Sequence, residues 1–256
     1  MRYGTCVGAR ELDRIAIAKA AGYDYVETCI KELYTLNGGE LEAFAEQCYK
    51  SGIGCEAGNC FIKNDMRVVG LTANDDLITQ YLDDVMQRCS TVGIKTIVYG
   101  SGGSRNWEEG FSPKEAYGQC VRFLRELAAV RAQKLGMCIA VEPLIRRASM
   151  MIHLVSEGIE LARATGSPCV GGLADIYHMY ANDDPVSSIR SYKGELIHAH
   201  ISNPVTRDYP LDAGEYDYKA FLDALDYAGC TRCTIEAETE NFEADAYKAC
   251  ELLHSL

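Results

Sequence analysis

The chain has no long apolar run. Nothing in it approaches the roughly 20 residues needed to cross a bilayer, so no membrane partner is expected. The opening stretch, MRYGTCVGARELDR, turns polar too soon to act as a secretory signal, and a cytoplasmic location is the expectation. Basic charge is short: 25 Lys plus Arg stand against 37 Asp plus Glu, for a net charge of −12. That balance disfavours phosphate backbones, so no nucleic-acid partner is expected either. It leaves a small polar substrate open. Proline is sparse, and no Pro- or Ser-rich linker divides the chain, which reads as a single domain over residues 1–256. Cysteine is plentiful at 12 residues, yet most lie in apolar periodic segments such as IGCEA and MCIAV. There they pack as small hydrophobes, and no disulfide scaffold is expected in a chain of this length. The one CxxC, Cys230-Thr-Arg-Cys233, lacks the second pair that a structural zinc site wants.

What the chain does have is a repeated unit, a short apolar run followed by an amphipathic segment. The runs fall at Arg2–Val7, Tyr23–Thr28, Ile53–Ala57, Lys95–Tyr99, Met137–Glu142, Cys169–Ala174, Leu196–Ile201 and Cys233–Ala237. Helical spacing fits Glu11–Ala21, Gly39–Lys50, Asp75–Val92, a segment from Ser112-Pro113 to Lys134, Met150–Ala164, Val186–Arg190, Tyr218–Ala228 and Ala244–Leu253. Glycines at 22, 52, 93, 136 and 229 stand just before strands, the C-cap signal. Strands that are apolar at most positions are covered on both faces. Eight such units predict an α/β fold, a closed (β/α)8 TIM barrel. An open doubly wound sheet is the runner-up, but no GxGxxG follows the first strand.

In such a barrel the chemistry sits at the C-terminal ends of the strands. Strand five ends on Glu142, strand six on Asp175, strand seven carries His198 and His200, strand eight carries Glu236 and Glu238, and strand two carries Glu27. Four adjacent strands thus bring a metal-capable side chain to one rim. Carboxylates this close raise one another's pKa, and a divalent cation removes that cost. Parity sets His200 at the rim and His198 a layer deeper, where it reads as a hydrogen-bonded core group. Glu236 is preferred to Glu238, which sits in a polar stretch. The expected ligands are Glu142, Asp175, His200 and Glu236. Three carboxylates and one imidazole suit an octahedral Mn²⁺ first, with Co²⁺ or Mg²⁺ as alternatives, over tetrahedral zinc. His153 and His254 fall inside expected helices and carry no expected role.

Several stretches in order, GYDYVET, VYGSGGSRNWEEGFSPKEA, VEPL, Asp175-Ile-Tyr-His178, HAHISN and DAGEYDYKAFLDALDYAGCTRCTIEAE, resemble the sugar phosphate isomerase/epimerase-like TIM barrels of the xylose-isomerase-like superfamily. The resemblance spans nearly the whole chain. It implies the same four metal ligands, Glu142 and Glu236 as the acid–base pair of ketose 3-epimerases, His178 as a substrate-holding histidine, and Arg207 as the arginine on substrate hydroxyls. Trp107, Glu27 and His198 complete the candidate substrate-binding set. The chain departs from the epimerase pattern at VEPLIRRASM, where Ile145 replaces an asparagine and Ala148 a glutamate.

The expected chemistry is proton abstraction next to the carbonyl of a keto-sugar or related polyol, through a metal-bound enediolate. Inversion gives an epimerase and proton transfer to the adjacent carbon an isomerase. Loss of a hydroxyl gives a dehydratase or lyase on a keto-inositol or keto-glycoside. A non-catalytic sugar-binding barrel subunit is the alternative from another class, and a homo-oligomer is left open. A DNA-repair endonuclease would want histidines after strands three and four, where GCEAGNCF and VYGSGGSR have none. Ser101-Gly-Gly-Ser104 reads either as a phosphate cradle or as a plain turn. Trp107, the single tryptophan, reads either as a lid over a sugar face or as a structural cap.

Overall fold

Eight strands pair in parallel, each with the next, and the last returns to the first. They are β1 (Arg2–Val7), β2 (Tyr25–Cys29), β3 (Gly54–Asn59), β4 (Thr96–Tyr99), β5 (Cys138–Val141), β6 (Val170–Asp175), β7 (Leu196–Ile201) and β8 (Arg232–Ile235). β1 bonds to both β2 and β8, which closes the barrel expected from the repeated units. The structure, a computed structural model, describes residues 1–256. The helices are α1 (Leu12–Ala21), α2 (Ile30–Thr35), α3 (Gly38–Ser51), α4 (Asp75–Val92), α5 (Pro113–Arg122), α6 (Ala129–Lys134), α7 (Val155–Thr165), α8 (Ile176–Ala181), α9 (Tyr218–Ala228) and α10 (Phe242–Ser255). None is long and apolar enough to cross a membrane.

Local chemistry explains the ends of these elements. Gly22, Gly52, Gly93 and Gly229 stop their helices in the left-handed region, and their N–H groups bond the last-turn carbonyls. Asn37 opens α3 with a capping box closed by Glu40, and Ser112 opens α5 with Pro113 in the first turn. Between α5 and α6 the expected continuous helix passes through a π-helical segment, Phe123–Ala128. The wider turn lets two successive side chains, Phe123 and Leu124, both enter the core.

Several further expectations shift. Strand eight ends at Ile235, two residues short of its expected end, so Glu236 follows it. Strand three runs on to Asn59, two residues past its expected end. Two short helices, α2 and α8, spring directly from β2 and β6. Val186–Ser191 is a 3₁₀ turn. The helix expected from Met150 starts at Val155, because Glu157 and Asp184 capture the backbone N–H groups of His153, Leu154 and Val155. His153 therefore precedes α7, and its Nδ1 lies 3.0 Å from the Leu144 carbonyl.

The main core, between sheet and helices, comprises 68 buried residues. Val98, Ala140 and Leu173 form a separate cluster inside the barrel. Alternation then sends Gly100, Glu142 and Asp175, each two residues further on, to the same interior face nearer the mouth. Tyr25 and Glu27, His198 and His200, and Thr234 and Glu236 follow the same rule. At the other end Arg2 and Arg232 lie over the Tyr25 ring and both reach Glu56. A Cβ on Gly4 would stand 2.3 Å from that ring, so only glycine lets Tyr25 fill the base.

Candidate metal centre

Each rim residue is aimed by its own strand. Asp175 ends β6 and caps α8: its Oδ1 accepts the N–H groups of Tyr177 (2.7 Å) and His178 (3.1 Å). Its Oδ2 is left facing the barrel axis, 3.7 Å from His200 Nδ1. Glu142 follows β5, and its N–H donates to the Tyr99 carbonyl. Its carboxylate lies over Gly100, where an added Cβ would fall 1.6 Å from Oε2. His200, in β7, turns Nδ1 to Glu142 Oε1 at 3.1 Å and to Glu236 Oε2 at 3.4 Å. Glu236 follows β8: Asn59 Nδ2 donates to its Oε1 at 3.0 Å, and Arg207 Nη2 to its Oε2 at 2.6 Å.

One ligand atom from each of Glu142, Asp175, His200 and Glu236 lies within 4.8 Å of the others. The first three residues are buried, while the Glu236 side chain keeps 18% of its surface open to the mouth. The charges strain against one another. Burial lifts the Glu142 carboxyl above the usual carboxylate range, and Glu236 adds to the lift. Burial also raises Glu236, but His200 and Arg207 more than offset it and leave it low. Asp175 would be raised by burial too, yet His178, His200 and Arg207 hold it far below the ordinary value. His200, which burial alone would depress, is driven well above an ordinary imidazole by the carboxylates around it, Glu27 and Glu236 foremost. Converging anions with a missing Cβ beneath one of them fit a divalent cation. The oxygen-rich set, with one nitrogen and no thiolate, suits a hard or borderline ion.

The other expected residues are placed unevenly. Arg207 reaches the cluster. It sits at φ 67°, outside the usual range for a side-chain-bearing residue, held by a bond to the Asn203 carbonyl. Its guanidinium lies 4.7 Å above the Tyr177 ring, with one nitrogen on Glu236. His178 is buried with Nε2 3.9 Å from Asp175 Oδ2, and its Nδ1 has no partner. Glu27 and His198, expected as substrate contacts, are fully closed to solvent in the layer beneath His200. The inward parity that put them in the barrel also put them one residue pair too deep for a ligand at the rim. Trp107 is not brought to the cluster. It lines a separate pocket of about 400 Å³ with Pro113, Tyr117, Arg146, Met150 and His153. The Ser101–Ser104 loop is a filled turn: Ser101 Oγ accepts the Ile62 N–H, and Gly102 abuts the Ala148 carbonyl. Ile145 is buried, and its carbonyl accepts the Ala148 N–H in a turn.

Three contributors escaped the sequence reading. Asn59 reaches Glu236 only because β3 is longer than its apolar run. Gly100 works through a missing side chain. Arg105 is fully buried, donates to the Glu142 carbonyl at 2.9 Å and lies over the Tyr99 ring. An arginine in a Gly-Ser loop gives no signal of burial. The strand-end parity could have flagged Gly100, two residues after Val98.

Known proteins share this architecture. A probable ketose 3-epimerase from Synechocystis sp. is 25% identical over 241 residues, covering 88% of this chain and 77% of the relative. A crystal structure of D-psicose 3-epimerase in the presence of D-fructose superposes with a TM-score of 0.86 at 15% identity, over 100% of this chain and 99% of that one. A crystal structure of AP endonuclease, family 2, from Brucella melitensis gives 0.79 at 19% identity, over 96% of each chain. At such identities the two structures attest the fold alone. The family model for the xylose isomerase-like TIM barrel matches residues 15–256, nearly the whole chain. The chain belongs to the xylose isomerase-like TIM barrel family.

Proposed function

We propose that this protein is a divalent-metal-dependent epimerase of keto-sugars, inverting the carbon next to the carbonyl. The observation that carries the reading is the convergence of Glu142, Asp175, His200 and Glu236 within 4.8 Å. The similarity to a probable ketose 3-epimerase supports the substrate class. These four residues would hold the ion, with manganese the first choice. When bound, it supplies the positive charge that polarises the carbonyl and offsets the negative charge developing there.

The chain's own groups do the rest. Glu142 and Glu236 come from strands separated by two others, so their carboxylates approach a bound sugar from different sides. One takes the proton next to the carbonyl, and the other returns a proton to the opposite face. Their roles exchange when the reaction runs in reverse. Asn59 and Arg207 fix Glu236 by both oxygens, while His200 and the Gly100 gap fix Glu142. Arg207, with one nitrogen on Glu236, and His178, beside Asp175, would hold substrate oxygens, the roles that the family resemblance implies. The test is to incubate Mn²⁺-loaded protein with free ketohexoses in D₂O, following α-proton exchange and the C3 epimer. Exchange with epimer formation is expected. Fully metal-loaded protein that exchanges no ketose proton overturns the proposal.

A further inference from the structure

Beneath the rim, Glu27 and His198 are ionisable side chains that the proposed reaction does not use, and Glu27 stands against the ligand His200. Glu27, His198 and His200 are all fully buried. Glu27 Oε1 is 3.1 Å from His200 Nε2, and Oε2 is 2.9 Å from His198 Nε2. Thr234 Oγ1 stands 3.2 Å from the same His198 nitrogen and 2.9 Å from the Tyr25 hydroxyl. The three residues are close enough to resemble a metal site of their own. Their atoms already bond one another directly, so the space an ion would take is filled by hydrogen bonds.

The direction of those bonds follows from the donor inventory. An ionised carboxylate only accepts, so both Nε2 atoms must carry the hydrogen. His198 bears this out from its other side. Its Nδ1 is buried with no partner, a position tolerable for a bare acceptor and costly for an N–H. With Nε2–H committed to Glu27, His200 has one ring nitrogen left to offer, and that is the Nδ1 facing Glu142, Glu236 and Asp175.

We infer that Glu27 is a positioning residue for the metal centre: it fixes the tautomer and ring plane of His200, so that Nδ1 is the ligand atom, and His198 holds Glu27 in place for that task. This rests on the metal-dependent reading above. It departs from a substrate-contact role, because no part of Glu27 faces the mouth. A carboxylate behind a ligating imidazole is a general device for orienting it, and its loss typically costs 10–100-fold in metal affinity.

The experiment has two arms. In wild-type protein with ¹⁵N-labelled histidine, loaded with diamagnetic Zn²⁺, two-bond ¹H–¹⁵N spectra read each tautomer directly. His200 is expected with a slowly exchanging Nε2–H and its Nδ1 shifted by the ion. A proton on Nδ1, or an ion on Nε2, overturns the inference without any substitution. In the second arm, Mn²⁺ titration by calorimetry compares wild type with Glu27→Gln and Glu27→Asp, the melt of each metal-free variant being recorded alongside. Glu27→Gln is expected to bind Mn²⁺ on the order of 10–100-fold more weakly, with Glu27→Asp between it and wild type. Unchanged Mn²⁺ affinity in Glu27→Gln overturns the inference while leaving the proposed function standing. A wild type that binds metal at these residues but turns over no ketose sinks the function and leaves the inference intact.

Discussion

Gly100→Ala is the sharpest perturbation the structure offers, because it adds one methyl group to a site it never touches chemically. The new Cβ would stand 1.6 Å from Glu142 Oε2 and 2.8 Å from its Cδ. Contact distances between heavy atoms run near 3.5 Å, so the carboxylate must retreat by roughly 2 Å. The 3.1 Å approach of Glu142 Oε1 to His200 Nδ1 goes with it. Gly100 has no left-handed φ, so the backbone itself accepts alanine and the effect is steric alone. Forcing a methyl group into a packed interior costs about 1–3 kcal/mol. At 2–4 °C per kcal/mol in a chain of this size, the Tm should fall by roughly 2–12 °C. Function should suffer more than stability, since a misplacement of about 1 Å in a reacting group costs on the order of 10²-fold. The assays are Mn²⁺ titration and ketose turnover, with Gly103→Ala as control. Gly103 is three residues along and has nothing within 4 Å of a built Cβ. The control should match wild type. If Gly100→Ala binds Mn²⁺ and turns over as wild type does, the Glu142 carboxylate does not occupy the position described and the reasoning fails.

The remaining expectations concern the ion, the glutamates and one thiol. Stripping with a chelator should abolish turnover, and restoring Mn²⁺ at about 100 times its Kd should raise stability by about 2.7 kcal/mol, roughly 5–10 °C in Tm; elemental analysis finding no divalent ion, together with no thermal shift, refutes the site. Glu142→Gln and Glu236→Gln should each lower turnover by about 10²–10⁴, with one variant retaining α-proton exchange in D₂O; wild-type rates at full metal occupancy would make both residues ligands only. The Cys29 thiol, hydrogen-bonded by Cys60 and by a backbone N–H at the start of α2, is drawn down to about 7. Thiolate forms as pH rises through that value, so iodoacetamide should label Cys29 with a midpoint near pH 7 and ahead of buried Cys55 and Cys89, whose thiols burial pushes up; mass spectrometry showing a midpoint near an ordinary thiol refutes the contact.

The barrel was legible because its cause is periodic. Apolar runs, helical spacing and C-cap glycines all repeat, and each repeat reinforces the same architecture. The ligands were legible for a related reason: strand ends are few, and parity sorts His200 from His198 and Glu236 from Glu238. What parity lacks is absolute depth. It put Glu27 on the inward face but could not tell the rim from the layer below, a difference of one residue pair. Strand length was the second gap, since Asn59 continues β3 beyond any apolar signal, where it pairs with Cys29 of β2. Trp107 shows the converse failure. Its loop follows a strand end, yet the chain sets the indole in a separate pocket lined by α5 and the segment before α7, a placement that no local pattern encodes.

Asp175 carries one more consequence. Its Oδ1 is committed to the first turn of α8 whether or not an ion is present, so its side chain has no rotamer freedom left to lose. Ordering a free carboxylate on binding typically costs about 0.5–1.5 kcal/mol. Here that cost is met when the helix forms, during folding. A cation arriving at the mouth therefore meets one ligand already aimed, and a variant that melts α8 while sparing every ligand should slow and weaken its capture.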